Sequence, residues 1–214
     1  MQDRYLRLIT TEFNRRTLFK GAAGAVGAAS ALAMGGNNLF NLGFGYAESV
    51  LAATPGDLDI LNFALGLEHL ENEMYKQVVA SGKLTGDAQT LATTFGTFEQ
   101  AHVDALTKAL QGANYANIAK VGTYKFPDFK TQTEAQVLMF LNTVEPVGVG
   151  AYTGAANKLT DKSLLGVAGS IVQVEARQLA ITQQLAGNKT PVSGALSESF
   201  TADEVNAKVK PLIG

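Results

Sequence analysis

The sequence predicts an all-α protein: a four-helix bundle of two helical hairpins, with a long crossover between helices two and three and a short C-terminal helix. Three observations carry that prediction. Four segments, 57–80, 86–111, 133–159 and 161–186, place apolar residues at helical spacing and stop at turn signals. The first pair and the second pair are joined tightly, whereas GANYANIAKVGTYKFPDFKTQT, with its Gly, Asn and Pro, separates the pairs. A helix of about 25 residues is about 38 Å long, so a crossover of that length can return along a bundle. Finally, each helix carries a glutamate near its middle, among Leu, Val, Ile and Phe.

The N-terminal 47 residues are a different kind of sequence. Asn14-Arg15-Arg16-Thr17-Leu18-Phe19-Lys20 leads into GAAGAVGAASALAMGG. A charged start, a modest apolar run and small residues are the marks of an export signal. The run is short for a spanning helix, which needs roughly 20 residues. The paired arginines resemble the twin-arginine signal of bacteria, which implies export to the periplasm or beyond through the twin-arginine machinery. Ala31-Leu32-Ala33 and Gly45-Tyr46-Ala47 are candidate cleavage points. An uncleaved signal would act as a membrane anchor. The domain that follows is expected over 48–214.

Charge and composition exclude several classes. The chain has 17 basic and 19 acidic side chains. Five basic and two acidic ones lie in 1–47, which leaves 12 and 17 beyond it, with Arg177 the sole arginine there. A nucleic-acid binder needs a basic face, so that class is set aside. Cysteine is absent, which removes disulfides, thiolate metal sites and cysteine nucleophiles.

Along the domain, Asp57 and Asp59 suit the positive end of helix one, which runs to Ala80 before Ser81-Gly82. Helix two runs from about Gly86 to Gln111 and stops at Gly112. Thr133-Glu134-Ala135-Gln136 has capping-box spacing and opens helix three. Helix four stops before Gly187. Thr201 and Glu204 form a second capping-box candidate, opening a short helix up to Pro211.

The mid-helix acids are Glu68, Glu99, Glu145 and Glu175. Glu99 is followed three residues on by His102, so the two share a helix face. The second hairpin repeats the first. Glu68 precedes Tyr75 by seven residues, as Glu145 precedes Tyr152, which puts each tyrosine above its own glutamate on one face. Glu99-x-x-His102 corresponds to Glu175-x-x-Gln178. One glutamate from each of two helices, plus Glu-x-x-His from each of the other two, is a di-metal carboxylate arrangement. Five of its six ligands are present here. Four carboxylates hold two divalent cations in a buried space, and imidazole suits iron or manganese. Without cations such acids repel one another and mostly protonate.

The stretches DLDILNFALGLEHLENEMY, FEQAHVDAL, VEPVGVGAYTGAANKL and SIVQVEARQLA resemble the ferritin-like domain family, which includes plant and bacterial desiccation-related proteins. The resemblance spans about 55–187. It implies a four-helix bundle with a di-iron or di-manganese site on Glu68, Glu99, His102, Glu145 and Glu175. Many members show histidine where this chain has Gln178, so the second metal position is in question.

Other residues have plainer expected roles. Gln178 is a weak ligand or orients one. Glu71 is a bridging or supporting group, or a salt bridge at the rim, the last being favoured. Tyr75 and Tyr152 donate to the carboxylates or simply pack in the core. His69 points about 100° from Glu68 and is structural. Pro146 removes a backbone donor in mid-helix, so a kink is expected there. Glu73 and Lys76 are solvated. Two functions fit this pattern: metal-dependent redox chemistry on Fe(II), peroxide or dioxygen, or a non-enzymatic stress or desiccation bundle with a degenerate or metal-storing site. The pattern leaves open whether the site turns over and whether the chain forms a homo-oligomer.

Overall fold

The computed structural model describes residues 55–191 and 194–214. The expected export signal, with Arg15 and Arg16, lies outside the described residues. Among the described residues five α-helices form: α1 Pro55–Ser81, α2 Gly86–Gly112, α3 Glu134–Ala156, α4 Lys162–Leu185 and α5 Ala202–Val209. Short 3-10 turns occupy Phe129–Thr131 and Lys210–Leu212. No strand forms among the described residues; the one extended pairing is an isolated bridge between Tyr124 and Ile213. α1 packs chiefly on α2, and α3 chiefly on α4, giving the two expected hairpins.

Local chemistry sets the boundaries. Pro55 opens α1, where its missing N–H costs nothing. Gly82 then turns the chain with φ +65, and Gly86 starts α2 with φ +51. The capping box of α3 is present: Thr133 Oγ1 accepts from Gln136 N at 3.3 Å, and Gln136 Oε1 accepts from Thr133 N at 2.8 Å. Glu134 also accepts from Thr85 N at 3.2 Å and from Thr85 Oγ1, fastening the start of α3 to that of α2.

α3 ends at Ala156, three residues before the expected Leu159. The reason is Asp57, buried in the first turn of α1. It accepts from Thr160 N and Thr160 Oγ1, each at 2.7 Å, and from Asp161 N at 3.3 Å. Those donors are spent on a carboxylate rather than on helix carbonyls, and Leu159 is drawn into the core.

The crossover is pinned rather than loose. Tyr115 donates to Asp59 at 2.6 Å, and Ala119 N donates to Asn62 Oδ1 at 2.6 Å. His69 Nε2 lies 3.2 Å from the Ala119 carbonyl, so His69 has the structural role expected of it. Further on, Tyr124, Phe126, Phe129 and Phe140 form a run of ring contacts with centroids 5.3–6.2 Å apart.

The apolar core falls into two clusters. One holds Leu70, Met74, Val78, Phe95, Val137 and Leu141, and the other Leu61, Leu65, Leu106, Leu110, Leu164 and Ile171. Along α1 and α2 the two clusters occupy opposite ends of each helix. The mid-helix acids lie between them.

The C-terminal segment covers α3. Phe200 N donates to the Gly150 carbonyl at 2.9 Å. α5, opened by the expected box of Thr201 and Glu204, buries Val205 and Val209 in the first cluster. Gly150 and Gly154 provide the room: side-chain carbons there would overlap the Phe200 ring and the Phe200 carbonyl oxygen respectively. Gly154→Ala is therefore expected to destabilise the protein by about 1–3 kcal/mol through overpacking, although alanine is the better helix former. Urea denaturation reads this directly. An unchanged midpoint would show that residue 200 does not pack against α3.

Candidate metal centre

Seven polar side chains from four helices meet between the two apolar clusters: Glu68 and Glu71 from α1, Glu99 and His102 from α2, Glu145 from α3, and Glu175 and Gln178 from α4. All are buried, the most accessible being His102 at 8%. Each of α1, α2 and α4 contributes a pair three residues apart, which the helical turn places on one face.

His102 is the hub of one half. Its Nδ1 lies 3.1 Å from Glu68 Oε2, 3.3 Å from Glu99 Oε2 and 3.3 Å from Glu175 Oε1. Glu68, Glu99, His102 and Glu175 each offer a ligand atom within 4.8 Å of the others, which is metal-binding distance. Glu145 of α3 stands outside that group of four but faces the same interior, where it is repelled by Glu99 and Glu68. The five residues singled out in the sequence are thus brought together.

The tyrosines are crossed. Tyr75 donates to Glu145 and Tyr152 donates to Glu68, each reaching the glutamate of the other hairpin. The expectation that each stands over its own glutamate is corrected by distance: seven residues is about 10.5 Å along a helix axis, beyond contact. α1 and α3 lie side by side and antiparallel, so that 75 is level with 145 and 152 is level with 68. Both hydroxyls hold a carboxylate oxygen in place.

Glu71 is also corrected. It is no rim salt bridge: it is 3% exposed, and among the described residues no basic side chain pairs with it. One turn beyond Glu68, it points into the same interior, where Gly148 of α3 leaves space. A side-chain carbon on Gly148 would stand 2.7 Å from Glu71 Oε1 and 3.0 Å from Glu175 Oε2. The signal was legible only as a pair, Glu71 three after Glu68 and Gly148 three after Glu145. Gln178 faces the site as His102 does, and its amide nitrogen donates to Glu99 Oε1. Lys76 is exposed as expected, and Glu73, partly exposed, accepts from Gln77 at 2.9 Å. Pro146 sits inside α3, which continues through it as one helix.

Burial and mutual repulsion push the acids up. Glu71, Glu145 and Glu175 are all raised well above the ordinary carboxylate value, first by burial and then by one another and Glu99. Glu99 is raised to about 7 by burial, against the opposing pull of His102. For His102 burial works against the charged form, but Glu175, Glu68 and Glu99 outweigh it and push the imidazole up to about 12.

The donor set fits divalent cations. Glu71 Oε2, Glu145 Oε2 and Glu175 Oε2 are buried with no hydrogen-bond partner, while Glu175 Oε1 has only His102 Nδ1 at 3.3 Å. A buried carboxylate oxygen without a donor is costly, and a coordinated cation is one of the few groups that satisfies several at once. Carboxylates with one imidazole suit iron and manganese.

The raised values have a consequence for the metal-free protein. The folded state keeps protons that the unfolded chain releases near 4.5 for Glu99 and 6.5 for His102. Those contributions to stability are fully present below the unfolded values. They are lost as pH rises through about 7 for Glu99 and toward about 12 for His102. Chelator-treated protein is therefore expected to melt at a lower temperature at about pH 8 than at about pH 5. Metal affinity runs the other way, rising with pH as the ligands lose protons. A melting temperature that climbs between those two pH values would contradict the burial of these groups.

The comparison with known families bears on the same residues. The family model of the ferritin-like domain matches residues 56–188, from the first turn of α1 to just beyond α4. No curated protein matches the chain. The matched span is more than half of the chain and contains every side chain of the cluster, in the order and on the helices just described. The chain belongs to the ferritin-like domain family.

Proposed function

We infer that this protein binds two iron or manganese ions among Glu68, Glu99, His102, Glu145 and Glu175, and that it is exported and performs metal-dependent redox chemistry. The observation that carries the reading is the set of unpartnered, fully buried carboxylate oxygens converging with His102 from four helices. When bound, the two ions would pass electrons to peroxide or dioxygen, which is reduced while the ions, or Fe(II) arriving as substrate, are oxidised. The chain's own residues do the rest. Tyr75 and Tyr152 fix Glu145 and Glu68, and the Gln178 amide fixes Glu99, so that the remaining oxygens point inward. The apolar clusters on either side keep water from the site and raise the strength of every charge interaction within it.

A second reading is metal storage without turnover in a stress-related bundle. Gln178 favours it, because the amide stands where a second imidazole would complete the symmetric site. Anaerobic loading with Fe(II), followed by stopped-flow mixing with peroxide or dioxygen and excess Fe(II) as electron donor, separates the two. Only the redox reading gives repeated consumption.

Glu99→Gln removes one carboxylate charge with little change in volume. It is expected to lower the metal content from about two ions per chain to one or fewer, measured by mass spectrometry after anaerobic loading. A content equal to that of the unsubstituted protein would refute Glu99 as a ligand.

Export rests on Arg15 and Arg16. Replacing both with lysine is expected to strand the full-length precursor in the cytoplasm, as read by fractionation and immunoblot. Unchanged export of that variant would rule out the twin-arginine route.

A further inference from the structure

We propose that Glu71 supplies the ligand that the fourth helix lacks, so that the second metal position is an all-oxygen one formed by Glu71, Glu145 and Glu175. This rests on the two-ion reading above and assigns the chemistry of its second position.

Glu68, Glu99 and His102 in the first hairpin correspond to Glu145, Glu175 and Gln178 in the second. By the same spacing Glu71 corresponds to Gly148, each three residues after the glutamate of its helix. The symmetry thus fails at two places. The second hairpin has lost its imidazole, and the first has gained a carboxylate opposite a residue with no side chain.

The two failures meet in space. Glu71 Oε1 and Glu175 Oε2 both crowd the point where a Gly148 side chain would begin, at 2.7 Å and 3.0 Å. Alanine at 148 would force Glu71 Oε1 to shift from this point. A glutamate at both 71 and 148 would need the same volume twice.

Satisfaction of the oxygens divides the site in the same way. Glu68 is held by Tyr152 and by His102, and Glu99 by Gln178 and by His102. Glu145 accepts from Tyr75 through Oε1, leaving Oε2 unpartnered. Glu71 Oε2 and Glu175 Oε2 are unpartnered as well. Glu175 spans both halves: Oε1 lies 3.3 Å from His102 Nδ1, while Oε2 faces Glu71 across the Gly148 gap. The three free oxygens come from α1, α3 and α4. Gln178 turns its amide donor to Glu99.

The two positions therefore differ in chemistry. The His102 position offers nitrogen and oxygen donors. The Glu71 position offers carboxylate oxygens only, a set suited to hard cations such as Mn(II). It is the weaker of the two for metals that favour imidazole.

The test is a two-site anaerobic titration of the metal-free full chain with Mn(II), followed calorimetrically and by electron paramagnetic resonance. Two ions of unequal affinity are expected for the unsubstituted protein. Glu71→Gln is expected to weaken the second ion at least tenfold, about 1.4 kcal/mol, while the first keeps its affinity. Gly148→Ala leaves Glu71 chemically intact but forces its Oε1, and Glu175 Oε2 beside it, to shift, and is expected to weaken the second ion more than the first. It carries the test if Glu71→Gln does not fold. Two ions with unchanged affinities in either folded variant would overturn the role of Glu71 and leave the two-ion reading standing. Fewer than two ions in the unsubstituted protein would overturn the two-ion reading, and the assignment of Glu71 with it.

Discussion

Five carboxylates share the interior of this bundle with one imidazole, and the rest of the architecture answers that fact. Moving an ionised carboxylate out of water costs several kcal/mol even after relaxation. One imidazolium cannot balance five acids, so metal-free protein holds some of them as neutral acids, while bound cations let them ionise. The apolar core is accordingly split, with leucine-rich packing toward each end of the helices and the polar cluster between. Burial of those clusters at about 25 cal/mol per Å² is what offsets the cost in the middle.

α3 is the helix that gives way. Its run VEPVGVGAYTGAA has three glycines and a proline within ten residues, a composition of poor intrinsic helicity, with each interior glycine about 1 kcal/mol worse than alanine. Each departure has a neighbour that uses it. Gly148 makes room for two carboxylates, and Gly150 and Gly154 admit Phe200 and its backbone. The helix persists because it is buried on several sides, not because its residues favour it. Its Tyr152 and Glu145 then reach α1 at the positions the crossed hydrogen bonds require.

Much of this was legible in the chain itself. Helix number, hairpin pairing and both capping boxes followed from periodicity and from Thr133, Gln136, Thr201 and Glu204, because these are local rules. The acids at 68, 99, 145 and 175 announced themselves by sitting among apolar residues. What could not be read was set by side chains meeting across helices. Asp57 shortened α3 from a hundred residues away. Tyr75 and Tyr152 exchanged glutamates because α1 and α3 run antiparallel, a register that spacing within one helix does not encode. Glu71 looked like a surface residue because its neighbours Glu73 and Lys76 are polar, and only Gly148 on another helix makes the buried position available.

That last pair bears on how a repeated scaffold acquires two unlike positions. A strictly duplicated hairpin gives a symmetric site, with each half offering a glutamate, a Glu-x-x-His pair and a tyrosine. Here the tyrosines and four glutamates keep the symmetry, and their crossed hydrogen bonds obey it. The departures are confined to two equivalent places, Glu71 against Gly148 and His102 against Gln178. They are complementary in volume, since a carboxylate fills the space a glycine leaves, and in chemistry, since an added carboxylate accompanies the absence of an imidazole. Either change alone would be a defect, a buried acid without room or a cation position short of a ligand. Together they leave a fully packed interior whose two halves differ in chemistry, while the helices that carry them remain superimposable in pattern.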